Sequence, residues 1–217
     1  MTDFSAEQLR QWLKTMVQLQ RSHNEKVHPQ WDEQGYPFTR AIWIECAELM
    51  DHFGWKWWKH QDADLDQVKL ELVDIWHFGL SALMIQHGDQ VVDVIAKEIS
   101  YANAAHEQWE FREAVEVLTR KALQGDFSIF AFTATMRALP MSFEDLYSIY
   151  VAKNVLNVFR QKNGYKEGTY VKSWAGREDN EHLAELAQSL NIDSSTYIAD
   201  LQHLLAMRYE QVRDESR

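Results

Sequence analysis

The chain has 217 residues, 33 Asp and Glu against 22 Lys and Arg, and a formal net charge of −11. That balance argues against a general binder of nucleic acid or of an anionic membrane surface, while leaving room for a small phosphate ligand met by a metal or a local basic cluster. A lone cysteine, Cys46, rules out an intrachain disulfide and fits a reducing compartment.

The first residues, MTDFSAEQLR, do not read as a secretory signal, and no stretch approaches a membrane span, so a cytoplasmic protein is expected. Only 3 Pro and 8 Gly interrupt the chain, which favours helices. Ser5 with Gln8 forms a capping box for a first helix, whose apolar stripe of Leu9, Leu13 and Met16 continues to about Asn24. Pro29, Gly35 and Pro37 make His28–Phe38 a loop. A second helix is predicted over about Thr39–Asp51, followed by FGWKWWKH at 53–60, a helical turn or a loop across a site mouth. Asp64 with Gln67 starts a third helix ending near His87. Within it Gly79 costs about 1 kcal/mol of helix propensity, which close helix packing would explain. Further helices are expected over Val91 to about Ser100, Ala104–Leu123 and Phe127–Leu139, the last ended by Pro140. Ser142 with Asp145 caps a long helix that reaches about Lys162 and stops at Asn163–Gly164. Lys166–Asn180 is polar and glycine-punctuated and reads as a functional loop; a last helix covers about Ser195–Asp214. The expected class is all-α, as one domain over residues 1–217.

Two stretches stand out, IECAELM at 44–50 and LELVDIW at 70–76. Each places two carboxylates three residues apart in an apolar run, on one helix face: Glu45 with Glu48, and Glu71 with Asp74. Carboxylates avoid apolar interiors unless compensated, and a divalent cation compensates four of them at once. The bland alternative is a pair of solvated amphipathic faces. All-oxygen ligation favours Mg²⁺, with Mn²⁺ as substitute, over a di-iron centre, because no Glu-x-x-His pair occurs at these positions. His77 continues the face and reads as a packed or supporting residue; Cys46 reads as a buried packing thiol.

Lys153, Asn157 and Arg160 recur at i, i+4 and i+7 on the long helix, with Tyr165 and Lys172 after it, a donor row suited to phosphate oxygens. Gln20 and Asn24 share a face of the first helix and carry the mixed donors and acceptors that a pyrimidine edge requires. Trp55, Trp57 and Trp58 offer a stacking surface. The chain lacks GxxxxGK[ST], GxGxxG, CxxC and HExxH motifs, so metals and side chains, not a glycine-rich loop, must handle phosphate.

Taken together, Leu19-Gln20 with Asn24, RAIWIECAELMDHFGWKWWK at 40–59, KLELVDIWHFGLS at 69–81, VAKNVLNVFRQKNGYKEGTY at 151–170 and KSWAGREDN at 172–180 resemble the dimeric all-α dUTP diphosphatases of the all-α nucleoside triphosphate pyrophosphohydrolase superfamily. Asn163 departs from the histidine expected before the family's glycine. The resemblance implies a helical homodimer with a rigid metal-bearing part and a mobile phosphate-binding part. It implies hydrolysis of dUTP, and of dUDP, by Mg²⁺-activated water. It places the metal on Glu45, Glu48, Glu71 and Asp74. It places the phosphates on Lys153, Asn157, Arg160, Tyr165 and Lys172, and the uracil and deoxyribose near Gln20, Asn24, Trp57 and Asn180. Rival readings are a pyrophosphohydrolase for dCTP or a modified nucleotide, a di-iron oxidoreductase, and a non-catalytic helical interaction protein.

Overall fold

In the computed structural model the described residues are 4–105 and 108–215, with side chains through residue 212. In chain order come α1 (Ala6–Val27), α2 (Phe38–Phe53), α3 (Leu65–His87), α4 (Val91–Ala104), α5 (Phe111–Leu123), α6 (Ile129–Ala138) and α7 (Phe143–Lys162). A two-residue hairpin follows, β1 (Ser173–Trp174) and β2 (Arg177–Glu178), then α8 (Asp179–Gln188) and α9 (Tyr197–Glu215). The all-α class therefore holds. The chain separates into two compact units, Met1–Leu146 and Tyr147–Arg217.

In the first unit α3 is the organising element. Val68, Leu72, Val73, Ile75, Trp76 and Leu80 are all buried, so α3 turns a broad apolar face, nearly half of its circumference, into the core. Burial of each such side chain contributes on the order of 1.5–3 kcal/mol. α2 packs along α3 and against α5, α6 packs against α5 and α4, and α1 lies on α4 and α3. Trp76 sits among Phe132, Phe143 and Phe127 with ring centroids 5.1, 6.1 and 6.2 Å away. At Gly79 α3 is closely packed: a Cβ there would overlap the Phe127 ring. The packing reason expected for that glycine is thus present.

Local signals set most helix starts. Ser5 Oγ accepts from Gln8 N at 3.1 Å, and Asp64 Oδ1 accepts from Gln67 N at 3.2 Å. At α7 the box is reciprocal: Ser142 Oγ accepts from Asp145 N, and Asp145 Oδ2 accepts from Ser142 N. α5 departs from expectation by starting at Phe111 instead of near Ala104, because the Glu110 carboxylate accepts from Arg112 N and Glu113 N. The part of that predicted helix on His106 and Glu107 lies outside the described residues.

The second unit is built around Trp174, which is buried against Tyr209, Phe159 and Tyr170. The expected loop through Asn180 instead contains the hairpin and the first turn of α8. α8 opens with a Glu178–Glu181 capping box, a signal weaker in sequence than one begun by Ser, Thr, Asp or Asn. Among the described residues, no helix is long and apolar enough to cross a membrane.

Candidate active site

On α3 a polar stripe interrupts the apolar surface. Glu71, Asp74, His77 and Ser81 fall within about a third of the helix circumference at 100° per residue. The stripe has two parts with different chemistry. Its N-terminal half meets Glu45 of α2: one oxygen each from Glu45, Glu71 and Asp74 lie within 4.8 Å of one another, all three residues half-buried. Hard divalent cations take carboxylate oxygens at 2.0–2.6 Å, so three oxygens this close suit one cation with room left for water or phosphate. Glu48 is exposed and lies outside this trio, although it shares a helix face with Glu45. His52, one further turn along that face, sets its Nε2 3.4 Å from Glu71 Oε1.

The C-terminal half of the stripe meets α1. Ser81, fully buried, is a junction: its Oγ accepts from Gln20 Nε2 and from Asn24 Nδ2, both at 3.0 Å, and donates to the His77 carbonyl at 3.0 Å. Gln20 Nε2 also donates to Asn24 Oδ1 at 3.0 Å, and Gln20 Oε1 lies 2.8 Å from His77 Nδ1. An acceptor oxygen there assigns the proton to Nδ1 of the His77 ring. Gln20 and Asn24, expected to read a base edge, are therefore buried in a shared network with His77 and Ser81.

Between α2 and α3 the tryptophan segment is a braced loop. Gln61 Oε1 accepts from the Trp55 and Lys56 amides at 3.1 and 2.8 Å, and the Arg112 guanidinium donates twice to the Gly54 carbonyl at 2.7 and 3.2 Å. Asp64 N closes the loop on the His52 carbonyl at 3.0 Å. Trp58 stands edge-on to both Trp55 and Trp57, and Trp57 is 90% exposed. An indole so placed presents its ring to solvent, not to the core.

In the second unit Lys153, Asn157 and Arg160 share one face of α7 by their spacing. Arg160 makes a bidentate pair with Asp179, Nε to Oδ2 at 2.8 Å and Nη2 to Oδ1 at 2.7 Å. Tyr170 OH donates to Asp179 Oδ2 at 2.8 Å. Burial pushes the Asp179 pKa up, but the bonds from Arg160 and Tyr170 outweigh it and hold the carboxyl below its ordinary 3.8. Hydrogen bonding to Asp179 raises the Arg160 pKa in turn. Lys172 Nζ lies 5.6 Å from the Tyr165 ring centre, a cation–π distance. Asn180, in the first turn of α8, has a buried Oδ1 with no hydrogen-bond partner among the described residues.

Comparison with known families places the chain, though not the roles of its single residues. A family model described as dUTPase matches residues 12–165, more than half of the chain. The chain belongs to the dUTPase family. Its reaction is accordingly dUTP hydrolysis, the chemistry of a dUTP diphosphatase. No curated protein gives a significant match. The matched segment spans all four carboxylates, Gln20, Asn24, Trp57 and the donor row to Tyr165, while Lys172 and Asn180 lie beyond it. Within this dUTPase, sequence reasoning passed over Ser81, His52, Tyr170 and Asp179. Ser81 carried a readable signal, since it lies four residues after His77 on the same face. Asp179 carried none, because its partner Arg160 is 19 residues away.

Proposed function

We propose that dUTP hydrolysis in this chain depends on Mg²⁺, for which Mn²⁺ can substitute, held by Glu45, Glu71 and Asp74. The convergence of their oxygens within 4.8 Å in a dUTPase-family chain carries this reading. Such a cation, when bound, supplies Lewis acidity toward phosphate oxygens and a more acidic water. Glu48, on the same face as Glu45 but outside the trio, is the carboxylate that orients the attacking water and receives its proton. Its exposure supports that role, since a base must reach the water it activates. His52 steadies Glu71, as partners of a ligating carboxylate do.

Phosphate falls to Lys153, Asn157, Arg160, Tyr165 and Lys172, whose ammonium, guanidinium, amide and hydroxyl donors match its acceptor oxygens. The base falls to Gln20, Asn24 and Asn180, with Trp57 against the deoxyribose. The unpartnered Asn180 Oδ1 supports a preference for uracil. Uracil offers an N3–H donor where cytosine offers a lone pair, and burying two acceptors against each other costs about 1–3 kcal/mol. The braced Gln20–Asn24–Ser81–His77 network supports a pre-set amide pattern that need not reorganise on binding. dUDP, which shares the base and sugar, is a second substrate.

We further propose that both units serve one catalytic domain, that the chain works as a homodimer, as the resemblance to dimeric members implies, and that it acts in the cytoplasm on nucleotides, without nucleic-acid or membrane partners. Purified protein incubated with dUTP and Mg²⁺ should yield dUMP and pyrophosphate. Turnover should stop with EDTA and return with Mg²⁺ or Mn²⁺. Light scattering should give twice the 25.6 kDa chain mass. Undiminished turnover in EDTA, or preference for dCTP over dUTP, would overturn the corresponding part.

A further inference from the structure

The Arg160–Asp179 pair is built differently from an ordinary structural ion pair. Asp179 is fully buried, yet Arg160 keeps 20% of its side chain exposed. Of the five N–H donors of a guanidinium, Asp179 takes one on Nε and one on Nη2, side-on. The Nη1 end makes no hydrogen bond among the described residues. The carboxylate is itself held: Tyr170 OH donates to Oδ2 at 2.8 Å, and the Asp179 amide donates to the Lys172 carbonyl at 2.9 Å. The segment after α7 is tied back to the same arginine, because the Tyr165 amide donates to the Arg160 carbonyl at 3.0 Å. Asp179, at the start of α8, thus grips the guanidinium directly, while Tyr170 braces that carboxylate and Tyr165 ties the loop to the Arg160 main chain.

We propose that Asp179, itself braced by Tyr170, is a positioning residue for phosphate recognition: it fixes the Arg160 guanidinium so that the Nη1 end is offered to phosphate oxygens. This rests on the phosphate role given to Arg160 above. The physical reason lies in what arginine adds over lysine. A guanidinium recognises phosphate by its planar fork, and a fork free to rotate loses that advantage. Pairing with Asp179 cancels much of the arginine charge, so Arg160 contributes direction while Lys153 and Lys172 contribute net charge. The arrangement also links two parts of substrate recognition. Asn180, assigned to the base, follows Asp179 directly, so a carboxylate that holds Arg160 also anchors the first turn of α8.

The test is a double-mutant cycle read with inorganic pyrophosphate as inhibitor of dUTP hydrolysis, on the full chain. Arg160→Ala should weaken pyrophosphate inhibition about tenfold or more, and Asp179→Asn should weaken it by about tenfold through misorientation alone. In the Arg160→Ala background, Asp179→Asn should add nothing, because the group it orients is gone. Tyr170→Phe keeps both Arg160–Asp179 bonds and should show a smaller loss, about threefold; it carries the test if Asp179→Asn does not fold. Independent, multiplying effects would overturn the proposal. So would a lowered melting temperature with unchanged pyrophosphate inhibition in Asp179→Asn and Tyr170→Phe, which is what a merely structural pair gives. If Arg160→Ala itself leaves inhibition unchanged, the phosphate role of Arg160 fails first, and this proposal falls with it.

Discussion

Ser81→Ala isolates the amide network with little change of volume. The hydroxyl is fully buried and takes part in three hydrogen bonds, from Gln20, from Asn24 and to the His77 carbonyl. Alanine keeps the β-carbon, so the cavity is about one oxygen and the cost is mainly that of hydrogen bonds. Gln20 Nε2 retains Asn24 as acceptor, whereas the Asn24 amide loses Ser81 in a site without bulk water. A lost buried hydrogen bond costs about 0.5–1.5 kcal/mol net, and a buried donor stripped of its acceptor about 1–3 kcal/mol. The expected destabilisation is about 2–4 kcal/mol. In urea, with a slope of about 2 kcal/mol/M, the midpoint should fall by about 1–2 M without change of slope. Because the network orients Gln20 and Asn24, KM for dUTP should rise more than kcat falls in the same variant. A midpoint shift worth less than about 0.5 kcal/mol, together with an unchanged KM, would refute the reasoning.

Gly79→Ala should destabilise the first unit by about 1–3 kcal/mol, since the new methyl meets the Phe127 ring in a packed core; a neutral change in urea unfolding would show that Phe127 can move aside. Cys46 is buried and its pKa is pushed up to about 12 by burial, so the folded protein should resist iodoacetamide at pH 8 and react fully in denaturant, as mass spectrometry would show. Asp179 titrates below its ordinary 3.8 when folded, so its stabilising contribution is complete above that value and is lost as pH falls below it. Acid unfolding followed by circular dichroism should therefore have an Asp179-dependent component only below about pH 4, absent in Asp179→Asn.

Much of the fold could be read from local chemistry. Ser5–Gln8, Asp64–Gln67 and Ser142–Asp145 each mark a helix start because the capping bond lies within three residues. The i, i+3 spacing of Glu71 and Asp74 is equally local, which is why the carboxylate stripe was legible and Glu45 could be matched to it. What the sequence hid depends on distance along the chain or on an uncommon choice of residue. α8 begins with Glu178 in place of a more usual cap, and α5 begins late because Glu110 fills the same role. Arg160 reads as a lone donor until folding brings Asp179 to it, and Gln20 and Asn24 read as an unbraced pair until folding brings Ser81, 61 and 57 residues away, to hold them. Periodicity could put Glu48 on the face of Glu45, but only packing separates its exposed position from the converging three.

The central claim is that Glu45, Glu71 and Asp74 jointly hold the divalent cation on which dUTP hydrolysis depends. A crystal structure of the whole chain with Mn²⁺ and a non-hydrolysable dUTP analogue, recorded for anomalous scattering, tests it directly. The expected result is an anomalous peak about 2.0–2.6 Å from an oxygen of each of the three carboxylates. Manganese bound by the nucleotide or by other residues, with Glu45, Glu71 and Asp74 turned away from it, would contradict the account.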